Sequence, residues 1–218
     1  MNIAIILSGC GNRDGSELQE TLSLMLALDR RNIGYQCFAP QGNIRVVSYL
    51  DGNETGEIRD LFGEAARIAR GDIQDLSQYQ VADYDALALP GGMGAARNLS
   101  TYAFKGKSMQ VMAAVEDAIL RNYKAGKPVL AMCIAPMILA KVLGRYGVTL
   151  TLGGVNDASR AAQAMGARTM TCQPTDVCID DKNRVITTPA YMAASRISEI
   201  FEGADNMVEE LTRMLEEK

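Results

Sequence analysis

Three short stretches of this chain carry side chains able to act on a carbonyl group. The first is KPVLAMCIAPMILAKVL, residues 127–143, in which an apolar strand-like run meets Cys133 and then a helix-like run with almost no turn residues between them. A residue wedged between a strand and its following helix is forced into a tight turn that aims its side chain outward. A thiol there sits near free N–H groups that favour thiolate, so nucleophilic addition is one use of this corner. The other is core filling, the common fate of a free cysteine. The second stretch is LPGGMGAARNLS, residues 89–100. Gly91 and Gly92 would let backbone N–H groups approach a developing oxyanion with no Cβ in the way, although a plain strand-to-helix turn uses glycine too. The third, SGCGNRDGSELQE at 8–20, offers Cys10 and two carboxyls, Glu17 and Glu20, three residues apart. A carboxyl can move a proton, or it can be a solvated first-turn helix residue. The chain contains no histidine, which closes every mechanism that needs an imidazole base.

These corners need elements to hold them. Strand-like runs at 2–8, 33–39, 44–50, 84–92 and 128–132 alternate with helix-like runs at 16–31, 57–70, 108–126 and 134–144. Further on come a short strand at 148–152, a helix near 158–165, strands near 177–180 and 184–187, and a helix-rich tail. Alternation of this kind predicts an α/β fold with a doubly wound, mainly parallel sheet covered by helices on both faces. Ligands in such sheets bind beyond the carboxyl ends of the strands, where the strand order reverses. All three chemical corners are strand ends of that kind. Neither GxGxxG after the first strand nor GxxxxGK[ST] occurs, so the glycines do not form a standard phosphate loop.

At 218 residues and 48% hydrophobic, the chain suits one domain over 1–218. A net charge of −4, with basic residues scattered among acids, predicts no nucleic-acid partner, and no apolar run is long enough to cross a membrane. Five widely spaced cysteines without a CxxC point to a reducing compartment; Cys172 and Cys178, the nearest pair, read as small apolar residues rather than metal ligands. With no secretory pattern at Met1, a cytoplasmic protein is expected.

Together GSELQE, LPGGMGAARNLS and the elbow AMCIAP resemble the superfamily of PfpI and ThiJ proteins, related to deglycase-type proteins and class I glutamine amidotransferase domains. ILSGCG, DGSE, MCIAP and TTPAYM, spread over most of the chain, are more closely similar to the ElbB type, a glyoxalase linked to isoprenoid biosynthesis. The resemblance implies a flavodoxin-like fold with Cys133 as nucleophile. Its Gly-x-Glu-x-x-Glu pattern falls on Gly15, Glu17 and Glu20, which makes Glu20 the partner of the sulfur with Glu17 one turn earlier on the same face. Gly92 and Ile134 match the superfamily's oxyanion donors, and Thr188 and Tyr191 of TTPAY are possible polar walls, or a strand end and a packing residue. The implied reaction is cofactor-independent conversion of a small 2-oxoaldehyde, methylglyoxal or glyoxal, to lactate or glycolate, by a homodimer without a metal. An oxidation-sensing thiol on a protein-binding surface and a small amide or ester hydrolase are the alternatives. Relatives with a histidine after the cysteine differ from this chain, which has Ile134 there. For the Cys-Glu pair, burial should raise the carboxyl pKa, while the helix terminus and the carboxyl proton should lower that of the thiol.

Overall fold

The computed structural model describes residues 1–216. The chain opens with β1 (Asn2–Ile6), α1 (Leu18–Asp29), β2 (Gly34–Ala39), β3 (Asn43–Val47), β4 (Glu54–Asp60), α2 (Leu61–Ile68) and β5 (Ile73–Asp75). It continues through β6 (Ala86–Leu89), α3 (Met93–Arg97), α4 (Tyr102–Lys105), α5 (Ala113–Lys124), β7 (Val129–Met132) and α6 (Pro136–Leu143). Then come β8 (Thr149–Thr151), α7 (Asp157–Ala164), β9 (Arg168–Met170), β10 (Cys178–Asp180), β11 (Val185–Thr188) and α8 (Ile197–Glu216).

Seven strands form the central sheet in the order β10-β11-β7-β6-β1-β2-β5. All neighbours run parallel except β10, which pairs antiparallel with β11. From β1 the chain first builds outward through β2 and β5, then returns to lay β6 on the other flank of β1. The order therefore reverses between β1 and β6, where a crevice opens at the carboxyl ends. The strands β6, β7 and β11 are buried at every residue, as expected of a parallel sheet covered on both faces. α1 packs on α8 and α2, and α5 packs on α6, so helices surround the sheet. The flavodoxin-like expectation is thus met.

Local differences have identifiable causes. Residues 44–50 do not enter the main sheet; β3 pairs antiparallel with β4 in a separate ribbon. The helical period at 57–70 extends too far back, because Asp60 caps α2 by accepting the Gly63 N–H, and Ile58 lies exposed on β4. α5 begins at Ala113 because Val111 is held in a bridge to Ser100. β8 pairs with β9, a strand with no visible apolar alternation, in a third small sheet. No helix among the described residues is long and apolar enough to cross a membrane.

Candidate active site at the β1, β6 and β7 ends

Cys133 follows β7 directly and adopts φ +58°, left-handed backbone in a residue with a Cβ. Such a conformation costs of order 1–3 kcal/mol and persists only where its surroundings fix it. Its N–H donates to the Thr188 carbonyl at 3.1 Å, and Pro136, at the first position of α6, sets the helix that follows. The corner is an elbow, with Cys133 as a whole 9% exposed. The backbone N–H groups of Gly92 and Ile134 donate to the sulfur.

Glu20 lies in the first turn of α1 and has no solvent exposure. Its Oε1 accepts the Tyr191 N–H at 3.4 Å; its Oε2 makes no well-formed bond to any N–H or O–H. The polar groups beside the carboxyl are the Cys133 thiol, which shares a hydrogen bond with it, and the Gly91 N–H. Burial first, and then the Glu17 charge, push Glu20 from its ordinary 4.5 up to about 8. The expectation of a lowered thiol pKa is reversed: burial and the adjacent carboxyl hold Cys133 well above its usual value, outweighing the pull of Gly92 and Ile134. Cys133 precedes the helix start by three residues and is enclosed, so desolvation exceeds the dipole's help. Two groups so close titrate as a unit that resists carrying two negative charges.

Glu17 is not one turn earlier on the helix but at its N-cap, in extended conformation. Its Oε2 accepts the Glu20 N–H at 2.7 Å, and its own N–H donates to the Gly91 carbonyl at 2.9 Å, tying the β1 loop to the β6 loop. Burial raises this carboxyl as well, opposed by the N–H groups of Glu20, Gln19 and Leu18. The Ser8 N–H donates to Ser16 Oγ at 2.9 Å, and Asn98 Nδ2 donates to the carbonyls of Ser8 and Asp14, so the loop carrying Glu17 is braced from both sides. Tyr191 reaches the site through its backbone, while its hydroxyl donates to Gln19 at the rim. Thr188 does not line the site with its side chain: the hydroxyl donates to the Asp176 carbonyl at 3.0 Å, and only its carbonyl serves Cys133. Ala190, with φ +42°, turns the Tyr191 N–H toward Glu20, and nothing in TTPAY signalled that strain. Cys10 lies elsewhere, half-buried in a cleft of about 390 Å³ beneath the β3–β4 ribbon, where Arg67 hydrogen-bonds it.

The two glycines differ in purpose. At Gly92, φ is +95° and a Cβ would lie 2.4 Å from Glu17 N and Gly15 O, so only glycine fits. At Gly91 a Cβ would lie 2.3 Å from Glu20 Oε2 and 2.4 Å from Cys133 Cβ. The missing side chain is therefore the gap through which carboxyl and thiol meet. Gly91→Ala is expected to force the pair apart and so to change the rate and pH dependence of Cys133 alkylation. Alkylation profiles of both proteins check it; unchanged profiles would show that the contact is dispensable.

An elbow cysteine, a buried carboxyl and two backbone donors at the switch point of a flavodoxin-like sheet define the class of DJ-1, ThiJ/PfpI and class I glutamine amidotransferase-like proteins; solved structures of DJ-1 and ThiJ/PfpI members at 12% to 22% identity share the fold. The chain is 37% identical over 223 residues to human glutamine amidotransferase-like class 1 domain-containing protein 3, mitochondrial, covering 97% of this chain and 82% of that protein. It is 36% identical to the ES1 protein homolog, mitochondrial, of Rattus norvegicus, with 97% and 83% covered. An isoprenoid biosynthesis protein with an amidotransferase-like domain from Ehrlichia chaffeensis superimposes with a TM-score of 0.90 at 34% identity, over 98% of this chain and 99% of that one. The chain belongs to this ES1-type, glutamine amidotransferase-like class 1 family. No family model matches it. The cytoplasmic expectation is corrected by these comparisons, since the relatives are mitochondrial proteins. Unpaired cysteines fit a reducing compartment but do not choose among such compartments.

Proposed function

We propose that the chain is a cofactor-independent glyoxalase that converts methylglyoxal or glyoxal, with one water, into lactate or glycolate. The observation that carries this reading is the fully buried Glu20, with Oε2 unsatisfied by any N–H or O–H, beside a thiol held in a left-handed elbow. The reactive form of the pair holds one proton, which passes from the thiol to the Glu20 carboxylate as the sulfur attacks. The sulfur adds to the aldehyde carbon, and the new oxyanion takes the Glu20 proton, leaving a hemithioacetal and a carboxylate. Gly92 and Ile134, whose N–H groups already point at the sulfur, stabilise that oxygen as charge develops. The carboxylate then removes the C1 hydrogen to give an enediol and returns the proton to C2, which leaves a thioester on Cys133. Water cleaves the thioester, releasing the hydroxy acid and the thiol. Atoms balance without a co-substrate.

The test is lactate release from methylglyoxal by protein freed of glutathione. Many equivalents of lactate per chain are expected. Consumption of one equivalent without lactate would leave Cys133 as an adduct-forming or oxidation-sensing thiol and overturn the proposal.

A further inference from the structure

The charged neighbour of the Cys133–Glu20 pair is a further carboxyl, Glu17. Glu17 Oε2 lies 2.7 Å from Glu20 N, and its charge acts on both the Glu20 carboxyl and the Tyr191 hydroxyl. Among the described residues no arginine or lysine forms an ion pair with Glu17 or Glu20; the ion pairs lie elsewhere on the surface. At the rim, Gln19 and the Tyr191 hydroxyl are neutral and bound to each other. The Glu20 Oε2 that lacks an N–H or O–H partner lies against the same corner, and among the described residues no arginine or lysine is a main influence on Glu17, Glu20 or Cys133.

A carboxylate-bearing ligand would bring a second negative charge toward Glu17, which among the described residues has no ion-paired arginine or lysine, whereas a neutral aldehyde meets no such barrier. We propose that Glu17 makes the Cys133 site charge-selective: it admits neutral or cationic carbonyl compounds and turns away 2-oxo acids, whose carboxylate adjoins the reacting carbonyl. This selectivity rests on the glyoxalase reading for the identity of the substrate, and it gives that reaction a direction. The substrate enters uncharged, and the hydroxy acid is formed as an anion where the local field expels it. Glu17 acts here as a specificity-determining residue that makes no bond to the reacting atoms.

Charged thiol reagents of matched size read the field without turnover. The trimethylammonioethyl and sulfonatoethyl methanethiosulfonates each transfer their thioalkyl group to the Cys133 sulfur, forming a mixed disulfide and releasing methanesulfinate. Rates at Cys133, followed by peptide mapping so that Cys10 is scored separately, are divided by the rates of the same reagents with a free cysteine peptide. The cationic reagent is expected to react faster by on the order of 10-fold or more at low salt, as one nearby and weakly screened charge would give. The ratio should fall toward one in Glu17→Gln, which keeps an oxygen for the Glu20 N–H. Any general change in thiol reactivity cancels in the ratio. In the wild type the ratio should also shrink as salt is raised to about 0.5 M, which tests the field even where the variant disturbs the helix cap. Equal rates for both reagents at low salt, or a ratio undiminished by either salt or Glu17→Gln, would overturn the inference. Charge order without lactate formation removes the glyoxalase reading alone; lactate formation without charge order removes the selectivity alone.

Discussion

Replacing Cys133 with serine is expected to take lactate formation down to the rate of a protein-free blank while leaving the fold intact. Serine is smaller than cysteine, so it enters the elbow without a clash, and its N–H still bonds the Thr188 carbonyl. Its hydroxyl, however, has no base strong enough to ionise it: the neighbouring carboxyl is the only proton acceptor the mechanism uses, and the chain has no histidine. Circular dichroism and a thermal melt establish folding, and the lactate assay reads activity. Turnover within tenfold of the wild type would place the nucleophile elsewhere, with the half-buried Cys10 the first position to examine.

The second large effect concerns Glu20, where activity and stability should move in opposite directions. Glu20→Gln preserves a hydrogen-bond donor near the sulfur but cannot accept the C1 proton, so turnover should fall by on the order of 10²-fold or more. The wild-type pH profile should rise through about 8, where Glu20 gives up its proton and the pair enters its one-proton form; that limb should be absent from the variant. Stability runs the other way. The unfolded chain releases this proton near 4.5, while the folded chain holds it until about 8, so between those values the native state binds more protons and stability falls as pH rises. Below 4.5 the two states are equally protonated and the penalty vanishes; above 8 it stays constant. Holding the carboxyl neutral costs roughly 3 kcal/mol at pH 7, less whatever the buried amide loses in its place. Thermal melts of wild type and Glu20→Gln should therefore coincide most closely near pH 4 and diverge up to pH 8, with the variant melting higher. A difference independent of pH would show that Glu20 is ionised in the folded protein.

Buried strands were the most legible part of the sequence, because continuous apolar runs such as Ile3–Leu7 and Val129–Met132 have few other uses in a chain that alternates with amphipathic helices. What resisted reading was set by contacts far along the chain. β4 is exposed along its length and is fixed by pairing with β3, so the helical period of residues 57–60 does not show that the helix starts only at the Asp60 cap. At the site, Cys133 could be picked out because it lies at the end of a strand-like run, whereas Glu20, Gly92 and Ile134 were legible through the family pattern they match. Their protonation was not, because it depends on how completely neighbouring elements exclude water: Cys133 was expected to be acidic and is the reverse. The Ala190 turn and the outward hydroxyl of Thr188 depend on α8 and the segment before β10, which no local pattern in TTPAY encodes.

The strand order bears on the state of the thiol while the chain is being made. Glu20 and Tyr191 are 171 residues apart, and the carbonyl that pins the elbow belongs to β11, near the end of the chain. Pairings of such long sequence separation form late, after the loop-closure cost of nearer contacts has been met. During synthesis, Cys133 would emerge and pair into β7 well before β11 arrives, and through that interval it is an ordinary solvated thiol with no acid beside it and no strain in its backbone. The surroundings of the corner are complete only once β11 has docked, so a truncated or slowly maturing chain would present a cysteine that oxidants can reach.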